Sequence, residues 1–289
     1  MTWTALTTLG DARQAAALGE ALDDLDPAPT GVGVFELEDG SGLWEVGGYF
    51  TESPDEIGLA VLAAAFGAQD FAVSELPETD WVAHVRRELH PVEAGRFFVY
   101  GSHDADRVPE GRVALLIEAA MAFGTGHHGT TQGCLEMLDH IANQGFSAAR
   151  VADIGCGTAV LAMAASRIWP DAGTILASDI DQVAVEVAQA NIAANDLGAQ
   201  VRCLEAAGLD HPELEEAPFD LIFANILKGP LIDLAPAIAG QLAPSGRAIL
   251  SGLLNSQTED VANAYTDQDL LVLNEKQIGD WTTLLLGRF

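Results

Sequence analysis

At 289 residues the chain exceeds one minimal domain and suits two, and its 49% apolar content is enough to bury a sizeable core. Acidic side chains outnumber basic ones 43 to 13, a net charge of −30 that sets the chain against direct binding to a phosphate backbone. No apolar run approaches the roughly 18 residues of a membrane helix, no basic-then-apolar leader opens the sequence, and Cys134, Cys156 and Cys203 lack C-x-x-C spacing, so free thiols in a reducing cytoplasm are the simplest reading.

The charge is uneven. Residues 1–76 carry 14 Asp and Glu against the single Arg13, a net of −13. Over the whole chain, acidity serves either solubility or the attraction of a basic partner; its concentration in this segment favours the partner there. The segment reads helix, strand, strand, helix, strand. Residues 12–25 are helical in pattern until Pro27 and Pro29 break them, and 32–38 and 43–50 alternate as strands around Asp39-Gly40-Ser41-Gly42, a hairpin signal. Pro54 can begin the next helix, 55–66, and 71–75 reads as a strand. The result is a small α+β module without a recognisable catalytic motif. In residues 77–89, Trp81, Val85 and Leu89 recur at i, i+4 and i+8, one apolar stripe on a short connector helix. Strand-like runs follow at 97–101 and 112–118.

From Gly129 the pattern becomes regular. Helix 130–143 precedes strand 150–154, helix 160–169 precedes strand 174–179, and helix 182–194 precedes the short strand 201–205. Strand 219–225 leads to helix 231–242, strand 247–253, helix 257–265 and strands 270–274 and 282–287. Short apolar strands separated by helices imply a buried parallel sheet.

The sharpest local signal is Val151-Ala152-Asp153-Ile154-Gly155-Cys156-Gly157-Thr158-Ala159, a strand running through close glycines into a helix. Glycines permit the tight turn and let a ligand approach the backbone at the helix start, which points to a nucleotide-like cofactor without naming it. Two features favour S-adenosylmethionine over a dinucleotide. Position 160 is Val, so the last glycine of G-x-G-x-x-G is missing, and Asp153 sits two residues before the first glycine. A carboxylate there repels a pyrophosphate and suits sulfonium and ammonium groups, directly or through water. Asp179 ends the following strand, where it can accept bonds from both ribose hydroxyls. Singly, Asp153 also reads as a helix cap and Asp179 as a turn residue; together they favour the cofactor.

Two further runs, Ala122-Phe123-Gly124-Thr125-Gly126-His127-His128-Gly129-Thr130-Thr131 and Phe219-Asp220-Leu221-Ile222-Phe223-Ala224-Asn225-Ile226-Leu227, resemble the PrmA family, which methylates a large-subunit ribosomal protein of the stalk base. The likeness runs from Trp81 to Trp281-Thr282, whereas residues 1–76 match in length and strand order alone. The resemblance implies a seven-stranded Rossmann-like class I methyltransferase sheet behind a small ferredoxin-like α+β domain. It divides the chain into an acidic substrate-recognition domain at 1–76, a connector at 77–92 and an S-adenosylmethionine-binding domain at 93–289. Its cofactor contacts fall on Thr131, Gly155, Asp179 and Asn225, with Phe123 and Gly157 beside them. Three positions depart from the pattern: Gly129 stands where Pro is common, Ala159 replaces a frequent glycine, and Glu118-Ala119-Ala120 replaces an acid-Pro-Gly.

The implied reaction is methyl transfer to lysine side chains and the N-terminal amine of that protein, in the cytoplasm. A free lysine has a pKa of about 10.4, so neutralising it at pH 7.5 costs about 4 kcal/mol. The enzyme must desolvate the ammonium and align its lone pair. Asn225 is the candidate to orient the amine and His128 a candidate proton acceptor; stabilising the loop is the simpler role for His128. No metal is implied, because His127 and His128 lack partners at ligand spacing. Cys156 reads as a small turn residue. Competing readings are a methyltransferase for another protein or a small amine, and a non-catalytic cofactor-binding regulator of a basic partner. A nicotinamide dehydrogenase is disfavoured by Asp153 and Val160.

Overall fold

The computed structural model describes residues 2–22, 25–29, 31–36, 42–76, 91–117 and 128–288. It separates into two compact units, Met1–Val85 and Arg86–Phe289. The expected connector helix at 77–89 lies outside the described residues.

The first unit opens with a strand, β1 (Thr2–Leu9), that the sequence reading omits. Its threonines disguise it, yet Thr4 and Thr7 are buried, and the Thr7 hydroxyl donates to the Gln69 carbonyl at 2.5 Å. Helix α1 (Ala12–Leu22), strands β2 (Gly31–Glu36) and β3 (Trp44–Phe50), helix α2 (Glu56–Phe66) and strand β4 (Ala72–Leu76) follow. The sheet order is β2-β3-β1-β4 with every pair antiparallel, the βαββαβ arrangement of a ferredoxin-like module. Asp55 caps α2 by accepting from the Ile57 amide, and Gly67 ends it at φ 67°. Ala5, Leu18, Leu22, Val46, Phe50 and Leu59 fill the space between helices and sheet.

The second unit begins with a small sheet, β5 (Val92–Ala94), β6 (Phe97–Tyr100) and β7 (Val113–Leu116). It packs on helix α3 (His128–Asn143), where Arg96 donates to Asp139 at 2.5 Å and to Asn143 at 2.7 Å. Then come β8 (Arg150–Ile154), α4 (Val160–Ile168), β9 (Thr174–Asp179), α5 (Gln182–Ala194), β10 (Val201–Glu205), the single turn α6 (Pro212–Glu215) and β11 (Phe219–Asn225). The expected helix 231–242 is two, α7 (Lys228–Asp233) and α8 (Ala235–Gln241), because Pro236 lies in the first turn of α8 and cannot continue the α7 hydrogen bonds. Strand β12 (Leu242–Leu254), helix α9 (Thr258–Thr266) and strands β13 (Leu271–Ile278) and β14 (Trp281–Gly287) complete the chain.

These strands form a seven-stranded sheet in the order β10-β9-β8-β11-β12-β14-β13. The sheet is mixed, which corrects the expectation of a parallel one. β10 to β12 run parallel, but β14 pairs antiparallel with both β12 and β13. Gly279 at φ 58° and Asp280 are the two residues between β13 and β14, and a two-residue link can join only antiparallel neighbours. Apolar side chains fill both faces: Leu135, Leu161 and Phe223 on one, Phe219, Ile222 and Leu250 on the other. The chain leaves β8 toward β9 on one side and returns to β11 on the other. That reversal opens a crevice at the strands' carboxyl ends, where open α/β sheets hold their ligands.

Candidate active site

The turn from β8 into α4 follows from three left-handed residues in alternation. Gly155, Gly157 and Ala159 have φ of 66°, 51° and 59°. A Cβ on Gly155 would lie 2.3 Å from Ile226 Cγ2, so glycine is required there for both conformation and space. Nothing lies within 4 Å of a Cβ built on Gly157, leaving room for a ligand against the backbone. The Cys156 amide ties the turn to the Ser178 carbonyl at 2.9 Å.

Asp153 lies beneath this turn, almost fully buried, and its Oδ2 accepts from the Ala162 amide at 3.0 Å. Burial raises its pKa to about 7; the Ala162 amide opposes the rise and the Asp179 charge adds to it. Asp179, at the end of β9, accepts from the Gly157 amide through Oδ2 at 2.9 Å and from the Asp181 amide through Oδ1 at 3.1 Å. Capping and turn roles are therefore present for both acids. A carboxylate has about four acceptor sites, so neither is exhausted by them.

A crevice of about 260 Å³ is lined by Thr131, Asp153, Gly155, Gly157 and Asn225, five of the residues anticipated from the sequence. Asn225 ends β11, and its Nδ2 donates to Thr131 Oγ1 on α3 at 3.5 Å, which leaves the amide oxygen as the acceptor. Asp179 is not among the crevice residues and meets the site through Gly157. Phe123 lies outside the described residues, and His128 is described only as the first residue of α3.

The crevice also contains residues that sequence reasoning missed. Ile226 and Leu227 supply apolar wall, and Gly252 on β12 reaches φ 87° with its hypothetical Cβ 2.3 Å from the Ile226 carbonyl oxygen. A glycine inside a strand pattern signals such close approach, and that signal was available in Ser251-Gly252-Leu253. Burial pushes the Cys156 thiol well up, so it is no thiolate nucleophile. Among the described residues no cluster of three or more His, Cys, Asp or Glu side chains is arranged to hold a metal.

The sequence pattern of the ribosomal protein L11 methyltransferase (PrmA) family matches residues 15–288. The chain belongs to this family. Its similarity extends to the L11 methyltransferases of Brucella suis, 45% identical over 240 residues (83% of each chain), and of Bradyrhizobium diazoefficiens, 44% identical over 262 residues (89% of this chain and 87% of the relative). Among solved structures, the ribosomal protein L11 methylase of Lactobacillus delbrueckii subsp. bulgaricus superposes with a TM-score of 0.60 at 27% identity, over 69% of this chain and 98% of that one. PrmA methyltransferases use S-adenosylmethionine. The residues present suit that cofactor: an open left-handed glycine turn, a buried carboxyl beneath it to balance cationic groups, and a second carboxylate at the neighbouring strand end.

Proposed function

We propose that this PrmA-family enzyme methylates amino groups of ribosomal protein L11, lysine side chains and the N-terminal amine, with the residues anticipated from the sequence in the following roles. Gly155 and Gly157 admit the cofactor to the backbone, Asp153 balances its cationic groups, and Thr131, Asp179 and Asn225 contact it with Phe123 alongside. S-adenosylmethionine supplies a methyl group on a sulfonium, which an uncharged amine can attack without a nucleophilic side chain of the protein. What the protein contributes is orientation and desolvation.

The observation that carries this reading is the Thr131–Asn225 pair in the crevice lining. It turns the Asn225 Oδ1 toward the role of acceptor, so that an amine donating to it points its lone pair elsewhere. His128 is the candidate to take up the proton the amine must lose. Asn225→Ala tests the assignment: turnover of L11 falls at least a hundredfold while the melting temperature stays within a degree or two. Retained turnover would move the amine site elsewhere in the crevice.

In this reading residues 1–76 recognise the substrate, 77–92 connect, and 93–289 bind the cofactor; the reaction takes place in the cytoplasm. Support for the recognition role comes from charge and exposure together. The first 76 residues carry −13, and α2 exposes Ile57 (78%) and Val61 (62%), one turn apart, next to exposed Asp55 and Glu56. An apolar stripe edged by acids fits a basic protein surface with an apolar centre. A protein that binds an RNA backbone carries Lys and Arg side chains to neutralise its phosphates.

A further inference from the structure

Behind the crevice, α3 approaches β14 unusually closely, and the reason is two glycines one turn apart. A Cβ on Gly129 would lie 3.1 Å from both the Ile278 carbonyl oxygen and Trp281 Cδ1. On Gly133 it would lie 2.2 Å from Thr283 Oγ1. The same helix carries Thr130 and Thr131 into the crevice. The depth to which its glycine face sinks against β14 therefore sets where Thr131 stands relative to Asn225. At 3.5 Å that pair is at the limit of hydrogen bonding, so a small outward shift of α3 breaks it.

Thr283 does more than fill space. It is buried, and its Oγ1 lies 2.9 Å from Ser251 Oγ, also fully buried. Ser251 Oγ is 3.2 Å from the Thr282 carbonyl oxygen, which can only accept. The Ser251 proton is therefore committed to Thr282, and Thr283 donates to Ser251. Cys134, the residue after Gly133, is fully buried on the same helix. Ser251 pairs in register with Asn225 and precedes the crevice residue Gly252, at an irregularity where the β12–β14 register shifts between Leu250 and Leu253. One buried hydroxyl pair thus joins β12 and β14 against Gly133 of α3, in register with Asn225 on the neighbouring strand.

We infer that Thr283, with Ser251 and Gly133, forms a positioning device for methyl transfer: it fixes the depth of α3 and the end of β12 so that the Asn225 amide keeps its acceptor toward the amine. The inference rests on the role proposed above for Asn225. Gly133→Ala inserts a methyl group against Thr283 Oγ1 and drives the helix outward. Removing the obstacle in Gly133→Ala/Thr283→Ala leaves the Thr283 Cβ at 3.1 Å as the nearest atom, a contact that a few tenths of an ångström relieve.

The experiment measures kcat on L11, the Kd of S-adenosylhomocysteine and the melting temperature for Gly133→Ala, Thr283→Ala and the double variant, with Asn225→Ala alongside. Gly133→Ala lowers kcat at least tenfold, and the double variant recovers it at least fivefold, although a second side chain has been cut away. Additive structural damage gives the opposite order. A double variant no faster than Gly133→Ala, or a Gly133→Ala enzyme with full kcat, would overturn the inference. If Gly133→Ala does not fold, Thr283→Ser and Thr283→Val decide. The hydroxyl-bearing variant keeps kcat within threefold and the isosteric one loses at least tenfold at similar melting temperature; equal kcat in the two would overturn it. An Asn225→Ala enzyme with full kcat would instead remove the reading beneath it, whatever the glycine variants do.

Discussion

Asp153→Asn separates the cost of burying a carboxylate from its use. The wild-type side chain is buried with a pKa raised to about 7, mainly by loss of water, against 3.8 for the unperturbed group. Three pKa units correspond to about 4 kcal/mol. The folded state keeps its proton to higher pH than the unfolded chain does. This contribution to stability is therefore fully present below pH 3.8 and is lost as pH rises through 7. Asparagine retains an oxygen to accept from Ala162 but does not ionise, and its amide protons add a desolvation cost of about 1–3 kcal/mol at any pH. The variant should be less stable than wild type near pH 4 and more stable by about 1–3 kcal/mol at pH 8. That swing of about 4 kcal/mol amounts to roughly 8–16 °C in melting temperature for a domain of this size. Denaturation of both proteins without cofactor at half-unit pH intervals measures it. A difference that stays constant within about 1 kcal/mol from pH 4 to pH 8 would refute the assignment of a buried, destabilised carboxyl. Calorimetry supplies the functional half. The variant should lose at least tenfold in S-adenosylmethionine affinity at pH 8, and wild-type affinity should fall as pH drops below 7, where the cationic cofactor must first displace a proton.

Further outcomes follow from the same geometry. Asp179→Ala should weaken S-adenosylhomocysteine binding by about 2–3 kcal/mol by calorimetry, since it leaves both ribose hydroxyls and the Gly157 amide without their acceptor; unchanged affinity would reject the ribose assignment. Gly155→Val should abolish detectable binding in the same assay, because a branched residue at φ 66° collides with Ile226 and blocks the backbone. Ile57→Asp/Val61→Asp should raise KM for L11 at least fivefold and leave cofactor Kd unchanged in steady-state kinetics, and an unaltered KM would detach α2 from substrate recognition. Raising salt from 20 to about 200 mM should increase KM for L11 with little change in cofactor affinity, because exposed charges are screened within roughly 10 Å at 0.1 M.

The helices and parallel strands from Thr130 onward were legible because their period and their punctuation agree: 150–154, 174–179, 182–194, 201–205 and 219–225 match the structure residue for residue. Where the two cues conflict, legibility failed. β1 alternates as a strand should, but its inward positions include Thr7, whose hydroxyl is satisfied by Gln69 and so can be buried without penalty. The position of β14 is set by the short link at Gly279–Asp280 and by the bulge near Ser251, both of which act through pairing that no local window contains. β5 is three residues long and takes its strand form from β6.

In the site, sequence separation decided what could be read. The glycine turn and its acids lie within one βαβ stretch, and chain spacing alone places them. Gly252, Ser251 and Thr283 reach the same crevice or its support from far along the chain, and only the sheet order brings them beside Asn225. Asp153 and Asp179 teach a different point. For each, the sequence offers a local bonding role and a ligand role as rivals, yet one oxygen of Asp153 meets Ala162 and both oxygens of Asp179 hold backbone amides with acceptor capacity to spare. The local bonds are what hold the carboxylates still, and a carboxylate already fixed in place pays no further ordering entropy when a ligand arrives. The helix-capping reading of Asp153 and its cofactor reading are thus two uses of one side chain, which is why the capped geometry is the one from which binding is expected.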